Sequence, residues 1–532
     1  MNQSISMILE GGLVRICQGF AAAAPTLMVG LFIAAILRYY LGDAGTRRLF
    51  GGESLRSLPQ SWLVGMLLPV CSIGVLPILR QMHRAGVKPG AMSAFALSAP
   101  LFNPLSLLYG LTLSRPLVII LFMLGSLAIV TVLGLLWDQI AGRKSPSNDA
   151  PDSSGTNVKE SDSDAPMDSA SPSSSDPSIS AGDGAADRLI GLRRLVATFV
   201  DFSRELTGVS LGLTTVALLG LALLAGTLPY GAMQHSVERD DWMAPLTMTS
   251  VAVPVYATPM LAMSQLGMMF QHANSPGAAF VLLILGTGMN FATLAWFGKN
   301  YGFKATFVWL ASLLVVVLAI SYGINRPLVP PGVEPAGHTH AFDIYANPIS
   351  VHHQTTVSAL VEMVTKDLDI SVLIPLAVLG VMALIGIAMR LMRIDEAWLV
   401  RGASAKSFAS SVGKVDADNK RGIDLIVPPG VVGATMLLGL IALSIVACFA
   451  YYPSPDECLD EISLARAECL SGANSGHIEH ALYWLPVWED WSRRLEVGTF
   501  IRTGQIRPYQ RMQGYLIRKK LELLEHELEH DP

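Results

Sequence analysis

The chain has 532 residues, of which 51% are hydrophobic and only 15% charged, with a formal net charge of −5 and a mean hydropathy of +0.46. This balance excludes a soluble enzyme and a nucleic-acid binder and places the chain among membrane proteins. The net charge itself carries little information, because its sign changes from loop to loop.

Long apolar stretches fall in order at Pro25 to Leu37, Met92 to Leu113, Pro116 to Trp137, Gly208 to Leu228, Gly277 to Phe297, Ala305 to Ile324, Val372 to Met389 and Leu425 to Tyr451. Most approach the ~20 residues a helix needs to cross ~30 Å of hydrocarbon. Helices are the open-ended elements that satisfy their own backbone in lipid, so the expected fold class is all-α, a polytopic membrane bundle. The first residues lack the basic start and small-residue cleavage site of a secretory signal, so the first helix is expected to remain.

Within the first expected transmembrane repeat, 1–138, the stretch LPVCSIGVLPILRQMHRAG from Leu68 to Gly86 is apolar yet broken by prolines at its centre. Residues 139–187 are a Ser-, Asp- and Pro-rich tract with almost nothing to bury, which predicts a disordered cytoplasmic linker. Leu189, Leu192, Val196 and Phe199 then recur at helical spacing beside Arg193, Arg194 and Arg204, the pattern of an interfacial helix. The second repeat, 188–324, echoes the first: at one constant offset Pro89 meets Pro276, Gly90 meets Gly277, Asn103 meets Asn290 and Leu107 meets Leu294. The broken stretch finds its counterpart in Val253 to Ala273. Matched Pro-Gly and Asn positions predict duplication rather than a chance alignment of apolar helices. An extracytoplasmic loop, 325–370, two additional transmembrane helices with a basic cytoplasmic loop, 371–451, and an extracytoplasmic tail, 452–532, complete the expected organisation.

Charge sets the expected topology. Were every apolar segment to cross, Lys and Arg would divide almost evenly between the two sides, against the rule that cytoplasmic loops are basic. Suppose instead that Trp62 to Leu79 and Met248 to Phe270 dip in and return, with the N-terminus outside. The cytoplasm then receives 23 Lys and Arg, and outside the tail only Arg15, Arg115, Arg239, Arg326 and Lys366 face the other way. Three crossings per half also invert the second repeat relative to the first.

A backbone that turns inside the membrane exposes amides and carbonyls that only protein or a watery cavity can satisfy, so the hairpin tips should line something. The expected substrate-binding residues are Cys71, Ser72, Asn103, Tyr256, Thr258, Thr287 and Asn290. The expected hinges are Pro69, Gly74, Pro77, Pro100, Pro104, Pro254 and Pro259. Many secondary transporters build sites from such discontinuous helices, whose ends act as partial charges. Asn103 and Asn290 fit plain interhelical hydrogen bonds equally well, and Cys71 fits a packed thiol. No Asp, Glu, Lys or Arg lies deep in an expected core span, which argues against a carboxylate proton relay. Nothing resembles a Walker A loop, so drive by ATP on this chain is not expected.

Outside the core, His338, His340, Asp343, His352 and His353 gather imidazoles and a carboxylate suited to Zn²⁺ or Cu²⁺, although loop histidines are commonly only polar surface. Cys458 and Cys469 share the tail and are a candidate disulfide if it faces an oxidising compartment.

The run Leu68-Pro69-Val70-Cys71-Ser72-Ile73-Gly74-Val75-Leu76-Pro77, followed by Arg84-Ala85-Gly86, Ala94-Phe95, Ala99-Pro100 and Asn103-Pro104, resembles the predicted permease family that includes organoarsenical exporters of the ArsP type. The resemblance covers most of Pro25 to Tyr322. It implies a multi-pass inner-membrane permease, and in the arsenical exporters the cysteine-bearing motif is associated with trivalent arsenic. This chain has Ile73 where such members carry a second cysteine, so one thiol is available rather than a pair. The expected function is a secondary permease moving a small-molecule or ionic solute, with efflux of a metalloid or thiophilic compound as the finer expectation. A membrane-embedded redox or metal-handling protein and a channel are the alternatives. The expected partners are the lipid bilayer and the solute, with no nucleic acid; a homo-oligomer is compatible, and the cofactor is unknown.

Overall fold

A computed structural model describes residues 5–530 except 53–55, 113–115, 142–191, 230–231, 234–235, 330–338, 340, 350–355, 366–367, 369, 393 and 395–428. The linker therefore lies outside the described residues. Among those described, every extended element is helical. Among the described residues five helices are long and apolar enough to cross a membrane, and a bent pair supplies a sixth candidate. Large apolar side chains such as Leu117, Phe307, Ile374 and Leu384 point outward, which water would penalise at ~25 cal/mol per Å² and lipid does not. The chain is a multi-pass membrane protein.

Helix α1 runs Ile5–Ile36, some twenty residues earlier than hydropathy suggests. Arg15 and Gln18 interrupt its apolar pattern but find partners within the fold: Arg15 donates to the carbonyls of Asp343 and Ala346, and Gln18 to that of Met363. A π-turn, Leu37–Leu41, leads to the short α2, Gly42–Leu49.

Two half-length helices follow, α3 (Ser57–Leu67) and α4 (Val75–Arg84), separated by non-helical Leu68–Gly74. Both outer ends of this pair rest on α2. Gln60 donates to the carbonyls of Arg48 and Leu49 at 3.0 and 2.9 Å, and Arg47 donates to the carbonyl of Ala85 at 3.1 Å. The pair is a hairpin, with its tip against the C-terminal part of α1, where Gly30 meets the carbonyl of Gly74. Helices α5 (Pro89–Ser98) and α6 (Pro104–Thr112) form a second interrupted pair, and α7 (Pro116–Ala141) is a full span.

The same plan recurs. Helix α8 (Leu192–Leu206) lies where an interfacial helix is expected; it buries Ala197 and Val200 while Val196 and Phe199 face outward. The span α9 (Val209–Thr227) precedes α10 (Ala244–Ala252) and α11 (Pro259–Gln271), whose intervening tip packs on α9 at Gly220. This pair too returns to its start, since the amide of Ser275 donates to the carbonyl of Val237. Then come α12 (Pro276–Val281, extended by a π-turn to Thr287), α13 (Phe291–Tyr301), bent from it by 57°, and the span α14 (Phe303–Asn325).

Individual contacts repeat at one fixed interval. The amide of Gly90 donates to Asp138 at 2.7 Å, and the amide of Gly277 to Asn325 at 3.0 Å. The amide of Val87 reaches the carbonyl of Met82, and that of Asn274 reaches Met269. Gly86 has a positive φ, and so does its counterpart Ala273, the one non-glycine among the described residues that does. That conformation costs a side-chain-bearing residue about 1 kcal/mol.

The C-terminal part contains α15 (Val357–Thr365), α16 (Ile370–Leu391) and α17 (Pro429–Tyr451), followed by α18 (Pro455–Asn474), α19 (Ile478–Thr503) and α20 (Pro508–His530). The last three share a small core of Cys469, Ala481, Leu485 and Leu521. They pack on the bundle through Arg493, which donates to Tyr109 of α6 and Gln271 of α11, and through His272, paired with Glu522. The opposite end of the bundle is tied by Arg38–Asp201, Arg80–Glu205 and Arg390–Thr207.

The disulfide expectation is corrected here. Cys458 and Cys469 are free thiols, and both sit on α18, eleven positions apart. At ~1.5 Å of rise per residue, some 16 Å separates them, far beyond the ~7 Å limit for bridged Cα atoms. Burial pushes the Cys458 thiol up to about 11 and raises Cys469 as well. At pH 8 a thiol at that value is roughly one part in a thousand thiolate, against about one part in four for an ordinary cysteine. Iodoacetamide should therefore label Cys458 at least about a hundredfold more slowly in the native protein than after denaturation, as read by peptide mass spectrometry. Rapid native labelling, or a peptide linking the two cysteines, would contradict this arrangement.

Candidate functional site

The first hairpin tip is organised by backbone contacts. The amide of Val75 donates to the carbonyl of Cys71 at 2.9 Å, starting α4, and the amide of Gly74 approaches the Cys71 sulfur at 3.4 Å. Cys71 is fully buried, and the neighbouring Ser72 hydroxyl is buried without a hydrogen-bond partner. Pro69 lies in the tip. Pro77 lies within the first turn of α4, where a missing amide proton costs no helical bond.

The second tip, Val253–Thr258, contains Pro254 and ends on a cap: the Thr258 hydroxyl accepts from the amide of Leu261, and Pro259 is the first residue of α11. Tyr256 is 3% exposed. Its hydroxyl faces the Cys71 thiol and Thr26, yet makes no hydrogen bond of good geometry. The fold thus brings Cys71 of one tip and Tyr256 of the other together.

The remaining expected residues have local roles. Asn103 caps α6 by accepting from the amide of Ser106 at 2.7 Å, and Asn290 caps α13 through the amide of Thr293 at 2.8 Å. The Thr287 hydroxyl bonds back to the carbonyl of Leu283. Each of these contacts satisfies a group exposed by a helix break. The Nδ2 of Asn290 is nevertheless buried without a partner. Pro100 lies in the break between α5 and α6, and Pro104 opens α6. The four breaks are neighbours: Gly286 lies against Val255, Gly288 against Leu97, and Gly65 against Ser98 and Ala99.

A cavity of about 340 Å³ opens beside the second tip, at the small end of the usual ~300–1,000 Å³ range for ligand pockets. Tyr256 and Thr258 line it together with Arg15 and Gln18 of α1, Leu221 of α9 and Leu261 of α11. Cys71 is outside its lining. The cavity's wall and the thiol are therefore joined through Tyr256, which borders both.

Residues 17–326 match the model of a family described as predicted permeases. The chain belongs to the predicted permease family. Among individual relatives, the UPF0718 protein YcgR of Bacillus subtilis strain 168 is 29% identical over 85 residues, covering 16% of this chain and 29% of that protein. The match thus spans under a third of the relative's length. No solved structure matches. Permease membership makes a transporter, rather than an enzyme, the coarse functional class.

Arg15 and Gln18 are cavity-lining residues that sequence reasoning overlooked. The signal was present: Glu10, Arg15 and Gln18 fall in the N-terminal half of a helix that is largely apolar beyond them, and such residues are rare enough in membranes to suggest function. Of the expected metal ligands, His338, His340, His352 and His353 lie outside the described residues. Asp343 is described, and its backbone carbonyl accepts from Arg15. Among the described residues no cluster of three His, Cys, Asp or Glu is arranged to hold a metal.

Proposed function

We propose that the protein is a secondary permease that moves a small solute by alternating access between two inverted repeats, each carrying a re-entrant hairpin. The observation that carries this reading is the meeting of the two tips, Cys71 beside Tyr256, next to a cavity of solute size. Supporting it, contacts recur at a fixed interval from Gly90 and Asp138 to Gly277 and Asn325. Helix breaks supply partial charges and a hinge at once, so a neutral site can bind solute and still change shape.

Orientation follows from the same contacts. Arg38, Arg47, Arg80 and Arg390 all belong to one end of the bundle, which is the cytoplasmic end under the rule for basic loops. The tail helices and the segment around Asp343 cover the other end. With this orientation a membrane-impermeant maleimide added outside intact cells should leave both Arg47→Cys and Arg84→Cys unlabelled until the membrane is opened. Labelling one but not the other would make the first hairpin a crossing segment and end the re-entrant reading.

The finer proposal is efflux of a thiophilic solute, with Cys71 as the soft ligand it meets once Tyr256 moves aside. A deletion strain screened against metalloids, metals and organic toxicants supplies the solute, and counterflow in proteoliposomes tests the mechanism. Exchange should saturate and be competed by unlabelled solute, and Cys71→Ser should lose it while the protein level is unchanged. Unsaturable flux would indicate a pore, and unaltered exchange in Cys71→Ser would leave the thiol as packing alone.

A further inference from the structure

The family match ends at residue 326, but the cavity does not end with it. Ile344, Tyr345, Val364, Leu368 and Val372 also form its wall; the first four come from between α14 and α16, and Val372 from the first turn of α16. Residues 341–347 are firmly held. Tyr345 donates to Gln265 at 2.8 Å, Gln265 donates back to the carbonyl of Ala341 at 2.8 Å, and the amide of Asn347 donates to the carbonyl of Leu228 at 2.9 Å. Arg15 holds the carbonyls of Asp343 and Ala346 at 2.7 and 2.9 Å. Phe342, Tyr345 and Asn347 are buried to the level of the bundle core.

We propose that Ile344, Tyr345, Val364, Leu368 and Val372 are the specificity-determining wall of the solute cavity, selecting a small organic molecule with an apolar body and one hydrogen-bond-accepting head. This rests on the permease reading for the word solute, but the wall itself stands on geometry. Val364, Leu368 and Val372 offer only hydrocarbon, which cannot replace the water stripped from an inorganic ion. They reward an apolar body by ~25 cal/mol per Å² removed from water. At the polar side, the Arg15 guanidinium, held by Gln18 and the carbonyls of Asp343 and Ala346, puts a positive charge on the same cavity, which favours an electron-rich accepting head over a cationic one.

Three probes separate body from head in thermal unfolding of the purified full-length protein in detergent. Benzenesulfonate has both parts, sulfate has the head alone, and benzylammonium has the body with the wrong head. Benzenesulfonate is expected to raise the unfolding temperature in a saturable way, while the other two leave it unchanged at equal concentration. Leu368→Trp and Val372→Trp, which fill the cavity, should weaken half-saturation at least tenfold. Leu373→Trp, on the 50% exposed neighbour, should not. Should Leu368→Trp fail to fold, Leu368→Phe carries the same prediction with a smaller shift. An equal response to sulfate, no response to any probe, or unchanged affinity in both cavity-filling variants would overturn the proposal. Binding that follows this pattern without counterflow would reject the permease reading and leave the wall standing, whereas counterflow unaffected by cavity filling would do the reverse.

Discussion

Arg493→Met is expected to destabilise the packing of the last three helices by about 3–5 kcal/mol, the usual cost of breaking a buried ion pair from one side. The guanidinium is 8% exposed and pairs with Glu489 at 2.6 Å. It also donates to the Tyr109 hydroxyl at 3.0 Å and to Gln271 at 3.4 Å. Burial works against its charge, yet Tyr109 and Glu489 outweigh that and raise its pKa above the ordinary arginine value. Methionine keeps much of the packing but leaves a buried phenol and a partly buried carboxylate without their donor. Hydrogen exchange should then accelerate across α18 to α20, with the bundle itself protected as before. Arg239→Met removes an ion pair whose aspartate is 86% exposed and should change little, because surface pairs contribute about 0–1 kcal/mol. Equal protection in the two variants would show that Arg493 does not hold the tail to the bundle.

Gly220→Ala is expected to cost a net ~2 kcal/mol and to lower the yield of folded protein, while Gly212→Ala on the same helix is neutral or slightly stabilising. A methyl on Gly220 runs into the carbonyl of Pro254 in the second tip, whereas one on Gly212 meets nothing within 4 Å. Overpacking costs roughly 1–3 kcal/mol, and the upper end applies because the obstacle is backbone rather than a flexible side chain. Alanine recovers up to ~1 kcal/mol through helix propensity at either site, so the difference between the two variants isolates the tip contact. Gly30→Ala, which meets the carbonyl of Gly74, should repeat the result for the first hairpin. Unfolding temperatures in detergent give the comparison, and indistinguishable values for Gly220→Ala and Gly212→Ala would mean that the tip does not press on α9.

The class of the fold was legible before any coordinates. Unbroken apolar runs of span length admit little besides helices, and clustered prolines, which lack the amide proton a helix needs, favour breaks in them, so both interrupted hairpins and the breaks beside Asn103 and Asn290 could be anticipated. Single prolines such as Pro25 and Pro375 nevertheless stay inside continuous helices. The site was legible in part. Pro-flanked tips pointed to Cys71 and Tyr256, and they do meet; Asn103 and Thr287 bond within their own helix ends, whereas Asn290 spends only its Oδ1 that way and keeps a buried Nδ2 without a partner. The paired tail cysteines were misjudged because compartment and spacing say nothing of whether both lie on one helix.

Residue order alone determined that this chain lives in a bilayer, where its helices break, and which positions of its two halves correspond, because those depend on local hydropathy, backbone chemistry and composition. Only the tertiary structure decided that Arg15 and Gln18 belong to a cavity, that Ile344 and Tyr345 help to wall it, and that Tyr256 stands between it and Cys71. Those are contacts between segments hundreds of residues apart, and the satisfaction of a buried polar group depends on what folding brings to it rather than on its neighbours in the chain.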